Sequence, residues 1–289
     1  MVCDVDSNHF EPLNNEIHPI LFPLGGTPIL AYTLEFLERG GVEEVFLISS
    51  HPSQIATYLE SSRWGEQGYP VKTSVIAAPR ARSVGDFLRE VDRRGFVKSD
   101  FVLVRGGVLS NLALPSIVEE HRKKKEVDKD AMLLTMVLMQ SESAFSPRRY
   151  DNFRVCLRRN LRDARLHVLD EENTSGSSEY DFHRCLVSEH VEIYPERKRY
   201  IHLSKEITSR YAKLLFRNDL YDCNIEICTP EVPALFTENF DYEDLRRDFV
   251  NGVLTSDLLL KNIYCYIVNS GYGGNISSFE EYWRVKWAP

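Results

Sequence analysis

The chain has 289 residues, 43% of them hydrophobic, which is enough for one large α/β domain or two small ones with a real core. Asp plus Glu (43) outnumber Lys plus Arg (35), and the formal net charge of −8 excludes a surface that grips nucleic acid over its whole extent, though not a local basic patch. No stretch approaches the ~18 apolar residues of a membrane-spanning helix, and the opening MVCDVDSNHF has neither the basic nor the apolar region of a secretory signal. The six cysteines (3, 156, 185, 223, 228 and 265) form no C-x-x-C pair, and no nearby histidine completes a zinc pattern. They read as buried reduced thiols of a cytosolic protein, with no metal site.

In chain order, a first strand is expected near Met1–Val5, followed by the turn DVDSNHFEPLNN. Ile29, Leu30, Tyr32, Thr33, Phe36 and Leu37 recur at helical spacing until Gly40-Gly41 ends the helix. The continuously apolar run from Val45 to Ile48 predicts a strand covered on both faces, and Val71–Ala77 a second buried strand. SQIATYLESSRW predicts a helix between them. SVGDFLREVDRRG predicts another, with Ser83 as N-cap and Gly95 at its end. SDFVLVRGG is the next strand, and LPSIVEEHRKKKEVDKD a helix running into a charged turn. Alternation of this kind implies right-handed βαβ units and a mainly parallel sheet.

After residue 130 the pattern turns β-rich. AMLLTMVLMQ is a long apolar strand, and NFRVCLRR, ARLHVLDE, HVEIYP and YIHLSK read as shorter strands in hairpins against one sheet edge. YDCNIEICTPEVPALFTENF reads as strand, Pro-marked turn and helix; YEDLRRDFVNGVL and IYCYIV as a further helix and strand. SGYGGN reads as a turn that follows no βα unit, not as a nucleotide cradle. The arginines 148, 149, 154, 158, 159, 162 and 165 form a basic cluster, read as a solvated hairpin face, with partner or RNA contact as the alternative. Asp222 and Asn224 lie on a predicted strand and read as structural hydrogen-bonding residues, a leftover small-molecule pocket being the alternative.

The first turn bears on function. A turn that cradles phosphate needs glycine, so that oxygens can approach backbone N–H groups. DVDSNHFEPLNN has no glycine, and Asp4, Asp6 and Glu11 add negative charge. The order of this loop, Pro12-Leu13, the segment around Pro23 and a helix resembles the sugar-nucleotide pyrophosphorylase (nucleotidyltransferase) family. On that resemblance, the glycine positions of the family's first loop fall on Val5 and Ser7, its threonine on Asn8 and its arginine on His9. The lysine falls on Pro19, with His18 beside it, and the metal-binding aspartate on Gly107. The expected fold is therefore a Rossmann-like (GT-A-like) α/β domain with a mixed, mainly parallel sheet flanked by helices. Residues 1–130 would form its Rossmann-like half and residues 131–289 a β-rich half completing the sheet. The phosphate and magnesium groups would be missing, so no catalysis and no cofactor are expected.

Three runs narrow the resemblance: AYTLEFLERGGVEEVFLISS, SVGDFLREVDRRGFVKSDFVLVRGGVLSN and LYDCNIEICTPEVPALFTENFDYEDLRRDFVNGVL. They are similar, collinearly and over nearly the whole chain, to the epsilon subunits of eukaryotic translation initiation factor 2B. Many members keep the aspartate that Gly107 replaces. The resemblance implies a non-catalytic N-terminal domain of a guanine-nucleotide exchange factor, without the family's β-helix and helical catalytic domains. Its implied partners are the gamma and other subunits of that factor, and initiation factor 2. Asn239-Phe240 matches the family's Asn-Phe motif, so Asn239, Phe240, Asp241 and Tyr242 are candidate partner-binding residues; the alternative is an Asn cap with a core-anchoring Phe and a charged first helical turn. Neither membrane nor direct nucleic-acid binding is expected. A sugar-phosphate nucleotidyltransferase with rewired loops, or a sugar-nucleotide sensor without turnover, remains the alternative function.

Overall fold

The computed structural model describes residues 1–3, 10–11, 13–140, 154–158, 184–187, 213–217, 220–256 and 258–286. The first strand, β1 (Val2–Cys3), falls where the sequence places it. A two-strand ribbon, β2 (Pro23–Leu24) and β3 (Thr27–Pro28), leads into α1 (Ile29–Arg39). Then come β4 (Glu44–Ser49), α2 (Pro52–Glu60), β5 (Lys72–Ala77), α3 (Val84–Arg94) and β6 (Phe101–Arg105). A short strand, β7 (Val108–Ser110), α4 (Leu114–Val127) and the long β8 (Met132–Gln140) follow.

Strands β9 (Arg154–Arg158), β10 (Arg184–Val187) and β11 (Lys213–Arg217) form an antiparallel sheet in the order β10-β9-β11. Of the hairpin strands expected between residues 141 and 212, only NFRVCLRR overlaps a described element, and most of the arginine cluster lies outside the described residues. The chain continues through β12 (Leu220–Cys228), α5 (Glu231–Glu238), a π-helical turn (Leu245–Val250) and α6 (Asn251–Thr255). β13 (Asn262–Val268), β14 (Gly273–Asn275) and α7 (Phe279–Lys286) close the described chain.

The main sheet has the order β13-β8-β12-β6-β1-β4-β5. β1 runs parallel to β4 and β6, β4 to β5, and β13 to β8; β12 alone is antiparallel to both its neighbours. Strands from the second half of the chain thus extend the sheet built by the first. Its alternating side chains feed two cores. Val2, Leu47, Val104 and Ile225 pack toward α1, α2 and α4. Leu103, Met136, Leu138 and Cys228 pack toward α3, α5 and the π-turn with Phe87, Phe236 and Phe249. Such double cover explains why β8 is apolar along almost its whole length.

Two expectations change. Val71–Ala77 is read as a buried strand, but β5 stands at the sheet edge and only Ile76 in it is buried. Its exposed positions are the polar or small Lys72, Ser74 and Ala77, which suit an edge. SGYGGN is read as a turn, yet Gly273–Asn275 pairs as a strand with Val108–Ser110. Glycines carry no alternating side chains, so this strand leaves no period-two signal in the sequence. Cys223, Cys228 and Cys265 are buried free thiols, in line with the sequence reading.

The helix caps follow the sequence closely. Ser83 Oγ accepts from the Asp86 N–H at 3.1 Å, and α3 stops at Gly95. Ser83→Ala is expected to lower stability by about 1 kcal/mol in urea denaturation, with an unchanged slope.

Candidate functional site

In open α/β sheets, ligands bind beyond the carboxyl ends of the parallel strands. Here β1 ends at Cys3 opposite Arg105, the last residue of β6, and the Gly106-Gly107 turn follows directly. Both glycines are buried. Val5, Ser7, Asn8 and His9 lie outside the described residues, so the site is built from Pro19, Gly107 and their surroundings.

Gly107 marks the expected magnesium position, and backbone fills the space a side chain would need. A Cβ there would stand 2.3 Å from the Ile276 carbonyl oxygen and 3.0 Å from Asn275 Oδ1. The segment is held in place from both directions. The Ile276 N–H donates to the Gly107 carbonyl at 2.8 Å, and β14 pairs with β7 just beyond it. From below, Thr33 Oγ1 on α1 donates to the Val108 carbonyl at 2.8 Å. Thr33, expected merely to line the buried helix face, thus satisfies a carbonyl of the strand that leaves this turn.

Pro19 opens a 3-10 turn, Pro19–Leu21, and offers no cation where the resemblance implies a lysine. Its neighbour His18 is buried; the His18 N–H donates to Gln54 Oε1 at 2.8 Å, and Nε2 lies 3.4 Å from Ser49 Oγ at the end of β4. The imidazole is thereby turned into the core.

Asp222 and Glu226 are the carboxylates on β12 that face the other core, and a built-in cation lies between them. Arg246, 2% exposed, donates through Nε and Nη2 to Asp222 at 2.5 and 2.9 Å, and through Nη2 to Glu226. Burial pushes the Glu226 carboxyl up to about 6, with the Arg246 charge pulling the other way. Burial opposes the Arg246 charge too, but Asp222 and Glu226 hold its guanidinium above the ordinary arginine value. A β-bulge between Asp222 and Glu226, with Asn224 at φ 52°, makes the shared contact possible. Asp222 therefore serves as the structural residue the sequence suggests. Sequence reasoning missed Arg246: its partners lie 24 and 20 residues away, and its segment reads as an ordinary amphipathic helix. Among the described residues no cluster of three or more His, Cys, Asp or Glu could hold a metal ion. Among the described residues, Gly107 offers no side-chain ligand for a magnesium ion, and the Asp222 carboxylate is already paired with Arg246.

The candidate partner loop follows α5 and splits into two kinds of residue. Asn239 is the C-cap, half-buried, and its Nδ2 donates to the Leu235 carbonyl at 3.3 Å. Tyr242 packs edge-on against Phe236 and Phe249, which stack on each other at 4.7 Å. These two residues shape the loop. Phe240 is 76% exposed, and Asp241 is exposed beside it. Arg89 on α3, unmarked in the sequence, holds the loop from behind: it donates to the carbonyls of Phe236, Phe240 and Tyr242 at 3.0, 2.8 and 2.7 Å. Gly85 lets the loop approach, since a Cβ there would meet the Tyr242 carbonyl oxygen at 2.2 Å.

Gly107→Ala is expected to cost about 1–3 kcal/mol by overpacking. Gly107→Asp is expected to cost more, because it sets a carboxylate among main-chain oxygens. Urea midpoints with and without Mg²⁺ check this: neither variant should regain stability with the ion, and an Asp variant as stable as the parent would mean the space exists.

No family model matches the chain. The translation initiation factor eIF2B subunit epsilon of Schizosaccharomyces pombe is 38% identical over 283 residues, covering 98% of this chain and 38% of that protein. The subunit of the same name from Dictyostelium discoideum is 33% identical over 278 residues, covering 96% of this chain and 36% of that protein. The chain thus spans somewhat over a third of the length of the curated relatives it matches. Among solved structures, an apo UDP-glucose pyrophosphorylase superposes with a TM-score of 0.59 at 12% identity, covering 99% of this chain and 96% of that one. The inositol-1-phosphate CTP transferase from T. maritima gives 0.57 at 12% identity, covering 99% and 95%. At such identities the likeness is one of fold. By sequence, this chain belongs with the epsilon subunits of translation initiation factor eIF2B over the segment it shares with them, and by fold with the nucleotidyltransferases.

Proposed function

We propose that the chain is a single, non-catalytic nucleotidyltransferase-like unit that works by binding proteins in the cytosol. It serves the guanine-nucleotide exchange factor eIF2B, docking to the gamma and other subunits and helping to grip initiation factor 2. The observation that carries the non-catalytic reading is the closed corner at Gly107, where backbone stands in place of a metal ligand. The names of the sequence relatives support the assignment to the exchange factor. Among the described residues no helix is long and apolar enough to cross a membrane.

Within the candidate loop the roles divide by exposure. Phe240 and Asp241 present their side chains outward and would make the contact; Asn239 and Tyr242 would hold the loop's shape. An aromatic residue fixed on a rigid loop loses little entropy on binding, which suits an interface anchor.

Co-purification of the chain with the gamma subunit and with initiation factor 2 tests the reading. Phe240→Ala with Asp241→Ala is expected to weaken retention of initiation factor 2 at least tenfold, about 1.4 kcal/mol, with an unchanged melting temperature. Equal retention by the folded variant would remove this loop from the interface. The chain alone should not speed GDP release, and brisk release would contradict the non-catalytic reading.

A further inference from the structure

Beside the partner loop runs a groove that neither the fold nor the loop itself requires. It lies open to solvent between the segment after β5 and the outer face of α3, and offers about 480 Å³. Arg80, Arg89, Arg93 and Arg94 line it against two carboxylates, Asp86 and Glu90. The excess of positive charge stands out in a chain whose formal net charge is −8.

Both carboxylates are shared. Glu90 accepts from Arg93 and Arg94 at 2.6 and 2.5 Å, and the two guanidiniums hold its carboxyl down at about 2. Asp86 accepts from the Arg89 side chain and from the Arg82 N–H, both at 2.9 Å. Arg80 in the lining and Arg82 next to it are exposed, and neither side chain has a partner among the described residues. The wall between them is apolar, formed by Ala78, Pro79 and Ala81. Arg89 joins the groove to the partner loop, for the same guanidinium lies 5.6 Å from the centre of the exposed Phe240 ring.

We propose that this groove receives an acidic segment of a partner protein, with carboxylates paired to Arg80 and Arg82 and an apolar side chain of the segment set against Phe240. The proposal rests on the reading of Phe240 as partner-facing and adds the chemistry of what lies beside it. Charge complementarity selects an acidic occupant. The apolar wall and the aromatic end favour a peptide over a nucleic acid, whose grip depends on many free cations along a stripe. Arg93 and Arg94 are tied to Glu90, and Arg89 is spent on carbonyls, which leaves two uncommitted arginines at this place.

The probe is a fluorescein-labelled peptide of alternating Glu and Asp with one central Leu, measured by anisotropy against its Gln/Asn counterpart and a 20-nucleotide uridine RNA. The acidic peptide should bind at low salt at least tenfold more tightly than the amide peptide. That binding should fall at least tenfold in Arg80→Glu with Arg82→Glu, and several-fold in Phe240→Ala, with melting temperatures unchanged. Equal affinity for the amide peptide, no effect of the charge reversal, or tighter binding of the RNA would each overturn the proposal. The two readings separate cleanly. Loss of initiation factor 2 on changing Phe240, with no loss of peptide on reversing Arg80 and Arg82, sinks the groove and leaves the loop standing. The reverse pattern sinks the loop as the factor's contact.

Discussion

The hydrogen bond from the Ile276 N–H to the Gly107 carbonyl holds one chain segment across another beyond the carboxyl ends of the central strands, where ligands of this fold class gather. Around it, β14 pairs with β7, and Thr33 satisfies a carbonyl from beneath. Since the obstruction is main chain and not the end of a flexible side chain, relief requires moving backbone that is itself paired. The glycine and the seal therefore depend on each other. A chain that needed a carboxylate at this position would have to route residues 273–276 differently.

The second layer of the molecule follows a related logic with charge. A divalent ion between two buried carboxylates needs an open, wet approach, whereas Arg246 brings its cation covalently attached to the fold. Such a buried pair is weak evidence for extra stability, since desolvation opposes the attraction. Its geometry nonetheless fixes the π-turn against β12, and the π-turn carries Phe249, on which Phe236 and Tyr242 pack. Arg89 works the same way from the other side, through carbonyls. Between them, two guanidiniums present Phe240 at the surface on a loop whose backbone is tied down. Rigidity at the candidate partner loop and closure at Gly107 are thus separate consequences of one scaffold.

Much of this was legible in the sequence. The buried strands near Val45 and Met132, the Ser83 cap and the helix end at Gly95 each carry a local signal, because each depends on residues within a few positions of one another. The importance of Gly107 was legible only through the family resemblance; its closure by Ile276 was not, since the contact spans most of the chain. Arg246 and Arg89 escaped for the same reason: an arginine in a helical pattern reads as solvated unless its distant partners are known. The edge position of β5 and the glycine strand β14 escaped because exposure and pairing are set by neighbours that the local pattern does not name. Within the candidate loop, the sequence weighed an Asn cap with a core-anchoring Phe against a partner contact; Asn239 is the cap, and the Phe240 side chain faces outward and anchors no core.

The closed corner at Gly107, as we read it, leaves no room for a reacting nucleotide and its metal ion. Isothermal titration calorimetry of the chain with Mg²⁺ and a nucleoside triphosphate, and with a sugar nucleotide, tests it most directly. Closure at Gly107 predicts no saturable heat for either. A saturable isotherm with Kd in the micromolar range, abolished by chelating the Mg²⁺, would contradict it.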